Sequence, residues 1–302
     1  MNKLKKTLEK NIVNDNSESN NKELVKKIKK NNSATKIKNE EKNINKITKE
    51  DIISLFMRNV KDKEFIKLNN ENDGEEGQWL EKLMNLKLNS KNAPDIGGYE
   101  MKKDSKKISF GDWSAEYLFS TKKSIINEIN NEEINMSKEE FIKKFGNKNE
   151  KKNNRYSWSG LCVPKYGIWN DCGQKLIIDK NNNILAMYSY EYDKRNNKMT
   201  DKWKNKEICI AVWEKNKMQK LVNNKFNQKG FFICKKNKDG KYYKICFGPS
   251  INFELFIEKI KSGDIFFDSG MYYDSDKPNQ RLYSQWRANN KFWTNLLIEE
   301  YQ

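Results

Sequence analysis

The 302-residue chain contains no histidine. That absence excludes Ser-His-Asp and Cys-His nucleophile systems, H-E-x-x-H metalloproteases, His-ligated zinc and His-dependent nucleases. Any hydrolytic chemistry must then run on carboxylates, lysine, tyrosine or water activated by a metal. Cysteine is scarce: Cys162, Cys172, Cys209, Cys234 and Cys246 make an odd number, with no C-x-x-C spacing. This argues against a zinc site and makes reduced thiols in an intracellular protein the default expectation. No apolar run approaches membrane-spanning length, and the first residues lack the apolar core of a signal peptide.

Aromatic residues are missing from positions 1–46, where Lys and Asn dominate. Such a segment can bury little and reads as a basic tail, extended or partly helical. Trp, Tyr and Phe all come later, over roughly 250 residues that suffice for a core. The formal net charge is +17. Part of that excess is the Lys and Asn bias typical of an AT-rich genome. The remainder suits either a solubilising surface or a polyanionic partner, most often nucleic acid.

Helical spacing and caps predict a helix over 47–60, with Thr48 as N-cap and Asp51 as an imperfect capping-box partner. A second helix is expected within 72–88, carrying Trp79, Leu80, Leu83 and Met84. A third spans 137–146, with Ser137, Glu140 and Gly146 as cap, box and stop. Ser250 and Gly263 bracket a fourth. Strands are expected within 93–103, 106–120 and 206–215, with hairpins over 175–192 and 230–248, the latter turning at Asp239–Gly240. The pattern predicts an α/β or α+β fold with a central mixed sheet flanked by helices. Residues 47–302 read as one folded unit with two lobes about a cleft.

The stretch APDIGGYEMKK (93–103) carries the chemistry. Alternation along a strand puts Glu100 and Lys102 on one face and Met101 on the other. Gly97 and Gly98 permit a bend that could return Asp95 to Glu100. Two carboxylates can hold a hard Mg²⁺ ion, and a neighbouring lysine can orient water and meet charge developing on phosphorus. The plain alternative is a strand with solvated charges. Upstream, GEEGQWLEKLM (74–84) could add Glu81 as a third carboxylate, or Glu81 is an ordinary helix-surface residue.

Asp-x4-Glu-x-Lys, with Pro94 before the Asp, is the spacing of the PD-(D/E)xK nucleases. Together, GEEGQWLEKLM, APDIGGYEMKK and ISFGDWSAEYLFS resemble the catalytic core of the MvaI/BcnI family of type II restriction endonucleases, and of the related nicking endonuclease MutH. GDIFFDSGMYYDSDKPNQRLYSQWRA (263–288) is similar to the DNA-reading segment of that family. The resemblance covers about residues 47–120 and 245–290. It implies a restriction-endonuclease-like core, with a catalytic lobe at about 47–150 and a recognition lobe at about 151–302 around a DNA cleft. It implies Asp95 and Glu100 as metal ligands, Lys102 as the catalytic lysine and Glu81 as an auxiliary carboxylate. The expected activity is Mg²⁺-dependent, sequence-specific hydrolysis of double-stranded DNA. Action as a monomer and a partner methyltransferase in the same genome fit that expectation. A MutH-like nicking enzyme and an inactive DNA-binding protein are the alternatives. Some family members carry histidines near the active site or in the reading segment, and this chain has none, which leaves the recognition sequence open.

Read by itself, RLYSQWRA (281–288) places Arg281, Tyr283, Gln285 and Arg287 on one face if extended. Arg suits guanine edges, Gln suits adenine, and Tyr can stack or hold a phosphate. An amphipathic strand with Trp286 in the core and the other side solvated is the alternative. Lys103 and Lys106, in the KKDSKK run, and the basic tail are candidates for phosphate contacts. The loop WSGLCVPKYGIWNDCG (158–173) either lines a DNA cleft or covers the core.

Overall fold

The computed structural model describes residues 47–67, 74–86, 91–119, 125–134, 136–150, 155–196, 198, 203–274 and 284–302. The basic tail, Arg281 and Tyr283 lie outside the described residues. The chain divides after Ile52 into two units, and all sheets lie in the second.

The helices, in chain order, are α1 (Lys49–Asn59), α2 (Glu75–Leu83), α3 (Ile125–Asn130), α4 (Lys138–Phe145), α5 (Lys215–Phe226), α6 (Phe253–Lys261) and α7 (Asn290–Asn295). The strands are β1 (Tyr99–Lys103), β2 (Lys107–Asp112), β3 (Glu116–Tyr117), β4 (Asn147–Asn149), β5 (Arg155–Trp158), β6 (Cys172–Ile178), β7 (Ile184–Asp193), β8 (Glu207–Trp213), β9 (Gly230–Lys236), β10 (Tyr242–Gly248), β11 (Ile265–Ser269), β12 (Met271–Tyr273), β13 (Ser284–Asn289) and β14 (Glu299–Tyr301).

Local chemistry sets the starts of α1, α4 and α6. At α1, Thr48 Oγ1 accepts from Asp51 N at 3.2 Å while Asp51 Oδ2 accepts from Thr48 N at 2.8 Å, so Asp substitutes for Glu in a reciprocal box. Ser137 and Glu140 form the same device at α4. At α6 the cap is Asn252, whose side chain accepts from Leu255 N, and not Ser250. The reason is tertiary: Ile251 N is engaged by the carbonyl of Phe226, which keeps the chain extended through Ser250 and Ile251.

Among the described residues four sheets form, ordered β1-β9-β10-β14, β11-β13-β2, β12-β5-β4 and β3-β8-β7-β6. β1 runs parallel to β9, while β9–β10 and β10–β14 are antiparallel, so the first sheet is mixed as expected. Both expected hairpins are present as β6–β7 and β9–β10. The sheets draw strands from both sides of residue 150, since β1 lies beside β9 and β2 beside β13. The core is aromatic where these sheets meet the helices. Phe110 of β2 touches Phe226 of α5, Phe256 of α6 and Trp293 of α7, with ring centroids 5.2, 5.3 and 4.6 Å apart. Trp213 of β8 packs on Phe267 of β11 and Trp286 of β13 at 4.7 and 5.3 Å.

The expectation of five reduced cysteines is corrected at one pair. Cys162 and Cys172 form a disulfide, with Cα atoms 5.3 Å apart, because the turn after β5 brings residue 162 back to the start of β6. Cys209, Cys234 and Cys246 are free and buried. The 158–173 loop covers the core with Trp158, Cys162 and Val163, which are buried, while Leu161 and Ile168 are exposed. Among the described residues no helix is long and apolar enough to cross a membrane.

Candidate active site

The corner at the start of β1 is made by backbone geometry. Gly97 and Gly98 have φ of 57° and 87°, a region that a side chain disfavours. The turn they permit lets Asp95 N and Ile96 N both donate to Tyr99 O, at 3.0 and 3.1 Å. Asp95 is thereby folded back along the strand, where its Oδ2 accepts from Met101 N at 2.8 Å. Alternation does the rest. Glu100 is 2% exposed on the same side as Lys102, whose Nζ lies 2.8 Å from Glu100 Oε1, and Met101 is buried on the other.

Asp95, Glu100, Lys102 and Glu81 line one cavity of about 290 Å³. The fourth wall is a residue that sequence reasoning missed: Lys225, in the last turn of α5, with its Nζ 3.1 Å from Glu100 Oε1. Its only sequence signal was the apolar spacing Met218, Val222, Phe226, which marks a helix but not where that helix docks. A roomier groove of about 570 Å³ lies against the 160–168 loop, and it holds no carboxylate pair.

The electrostatics of the cavity are those of crowded acids. Burial, followed by the negative charge of Glu100, pushes Asp95 up to about 7. Glu81, half-buried, is raised by the same two causes in the same order. Burial pulls the Lys102 ammonium below the ordinary lysine value, against the opposing pull of Glu100. Its Nζ also sits 5.3 Å from the centre of the Phe226 ring. Glu100 Oε2 is buried without a hydrogen-bond partner. An orphaned carboxylate oxygen and an acid raised first by burial and then by its neighbour's charge are the two features that a cation bound there would relieve. The donors are hard oxygens, which suit Mg²⁺, Mn²⁺ or Ca²⁺. Among the described residues no three acidic or sulfur side chains converge closely enough to hold a metal unaided. That fits an ion bound by one or two carboxylates, with water and substrate filling its other positions.

The second set of sequence candidates divides. Gln285 and Arg287 share the half-buried face of β13, and Trp286 is buried on the other. Arg287 Nε donates to Gln285 Oε1 at 2.6 Å, and its Nη1 is 3.2 Å from Asp268 Oδ2 on β11. Asp268 had no sequence signal, because only the β11–β13 register, Asp268 opposite Gln285, brings it there. The face adjoins the cavity: Gln285 pairs with Asp112 and Arg287 with Ser109, and both partners line the cavity. Lys103 does not join it. It points away from Lys102, and its Nζ is 3.1 Å from Glu76 Oε2. Lys106 is exposed in the turn between β1 and β2.

A family model for the LlaMI restriction endonuclease matches residues 57–301. The type II restriction enzyme ScrFI of Lactococcus lactis subsp. cremoris is 38% identical over 273 residues, covering 84% of this chain and 98% of that protein. Among solved structures, restriction endonuclease MvaI in complex with its cognate DNA matches at a TM-score of 0.51. It is 15% identical, over 84% of this chain and 98% of MvaI. At that identity the match speaks to the fold alone, which is restriction-endonuclease-like.

Proposed function

The chain belongs to the LlaMI restriction endonuclease family, and from that premise we propose how it works as a type II restriction endonuclease. It cuts double-stranded DNA at a specific sequence, using the corner of Asp95, Glu100 and Lys102. The observation that carries this reading is the convergence of Asp95, Glu100, Lys102 and Glu81 on one cavity, with Glu100 Oε2 left unpartnered. Asp95 and Glu100 would hold Mg²⁺ between them. When bound there, the ion supplies polarisation of the scissile phosphate and a lowered pKa for the attacking water.

The protein's own groups do the remainder. The Gly97–Gly98 turn fixes Asp95 relative to Glu100, so the two acids meet without a loop rearrangement. Lys102 orients the water and faces the charge that develops on phosphorus, in a cavity lined in part by Phe110 and with the Phe226 ring beside Lys102, where such a charge is worth more than in solvent. Glu81, its carboxyl raised by burial, stands as an auxiliary proton-holding group. Arg287 and Gln285 read base edges, and Asp268 holds the Arg287 fork in place for them. Lys106 and the tail contribute phosphate contacts, a role that Lys103 takes only if it leaves Glu76. Residues 47–302 act as one nuclease unit and residues 1–46 as a basic extension.

The enzyme acts as a monomer inside the cell, where a methyltransferase of the same specificity protects host DNA. In that compartment the Cys162–Cys172 disulfide is the exception, because reducing conditions keep most thiols free. Digestion of plasmid DNA with purified protein and Mg²⁺, with the fragment ends sequenced, tests activity and specificity together. Discrete ends sharing one short sequence, lost with EDTA, are expected. Intact DNA under all conditions would refute the assignment, and nicks without double-strand breaks would favour a MutH-like enzyme.

A further inference from the structure

Glu100 makes an uneven use of its two oxygens. Oε1 receives two ammonium groups, Lys102 Nζ at 2.8 Å and Lys225 Nζ at 3.1 Å. Oε2, equally buried, receives none. If Lys102 serves water and phosphate during the reaction, its bond to Oε1 competes with that service. Something else must then keep the buried carboxylate oriented, because a carboxylate whose partner leaves is both uncompensated and free to rotate.

Lys225 is built for that task. It sits on the last turn of α5, a helix held by three hydrogen bonds from two other segments. Asn92 Nδ2 donates to Leu221 O at 2.8 Å. Phe253 N donates to Asn223 Oδ1 at 3.0 Å. Ile251 N donates to Phe226 O at 3.2 Å. The Lys225 side chain is 19% exposed, so it lies along the cavity wall and not out in solvent. A cation at this helix end is also favoured by the helix dipole.

We propose that Lys225 is a positioning residue for metal binding: it anchors Glu100 through Oε1, so that Oε2 stays turned to the cation when Lys102 leaves for the substrate. This rests on Asp95 and Glu100 being the metal ligands. Two opposite effects follow from removing Lys225. Loss of a like charge tightens cation binding, and loss of the anchor loosens it. Partners of metal ligands commonly govern affinity by about 10–100-fold, and the pinned geometry of α5 places Lys225 in that class, so loosening wins.

The test is direct Mn²⁺ binding, measured by calorimetry on the full chain without DNA, for wild type, Lys225→Met, Lys225→Arg and Asp95→Ala. Single-turnover cleavage is followed against Mn²⁺ concentration in parallel. The Met variant is expected to raise the Mn²⁺ Kd about tenfold, and Arg, which keeps a charged donor, to restore most of it. At saturating Mn²⁺ the Met variant should cleave within about threefold of wild type, unlike Lys102→Ala, whose loss no metal concentration repairs. Mn²⁺ binding by the Met variant as tight as wild type, or tighter, would overturn the proposal. So would a saturated rate as low as that of Lys102→Ala. Wild-type-like Mn²⁺ binding by Asp95→Ala would overturn the ligand assignment itself and, with it, the role given to Lys225.

Discussion

The corner proposed to cut and the face proposed to read DNA lie side by side, yet they are built in different ways. Asp95, Glu100 and Lys102 fall within eight positions, and one Gly-Gly turn assembles them. Gln285, Arg287 and Asp268 depend on pairing between β11 and β13, which join the reading face to Ser109 and Asp112 on β2. A locally built site keeps its geometry if distant parts loosen. A face built from strand register does not, because a one-residue slip turns every side chain over. Chemistry and recognition should therefore separate under mutation.

The largest expected effect is on the corner. Lys102→Ala and Asp95→Ala should each lower the single-turnover cleavage rate by about 10²–10³-fold or more, while DNA binding in Ca²⁺, read by fluorescence anisotropy, changes little. Equal losses of binding and cleavage would erase the distinction between the two regions. Phe110 of β2 lines the cavity and packs against α5, α6 and α7, on the strand that pairs with β13. Phe110→Ala should cost about 3–5 kcal/mol in urea denaturation and impair both functions; a loss under about 1 kcal/mol would mean that this core does not tie the regions together.

The reading face should show the reverse of the corner. Arg287→Ala is expected to weaken specific binding by about 1–3 kcal/mol and relax discrimination at one base pair, with the saturated cutting rate kept. Asp268→Ala should do the same more mildly, by freeing the Arg287 fork. Undiminished specificity in both variants would remove β13 from recognition.

The smallest effect sharpens the electrostatics of the corner. Asp95 in the fold titrates near 7, above the ordinary carboxylate value. A raised folded value means the folded state binds the proton more tightly than the unfolded chain does. The stability this gives is present at low pH and is lost as pH climbs from about 4 through 7. In EDTA, Asp95→Asn should therefore flatten that decline and melt higher than wild type above pH 7, by a few degrees at most on this chain length. Parallel Tm-against-pH curves for the two proteins would contradict the assignment of Asp95 as the crowded acid.

The contrast between local and long-range assembly also explains what could be read in the sequence. The helices at 47–60 and 137–146, both hairpins and the Asp95–Glu100–Lys102 corner were legible because caps, turns and alternation act over a few residues. Trp286 in the core with Gln285 and Arg287 opposite was legible for the same reason. Lys225 and Asp268 were not, since nothing in their own surroundings says what they will face. Lys103 stands next to Lys102 in the sequence, but strand alternation and Glu76 take it to the other side. The Ser250 cap failed because a backbone bond from Ile251 to Phe226 delayed the helix by two residues. The Cys162–Cys172 pairing follows from how the β5 exit meets β6, which spacing alone does not give.

The central claim is that this corner cuts DNA with a carboxylate-held divalent ion. Its most direct test is rapid-quench cleavage of a cognate fragment by wild type and Glu100→Gln at saturating Mg²⁺, with DNA binding measured on the same samples in Ca²⁺. Glu100→Gln removes the charge and keeps the shape. The account predicts DNA binding within about threefold of wild type and cleavage lower by at least about 10²-fold. Cleavage at the wild-type rate by the Gln variant would contradict it.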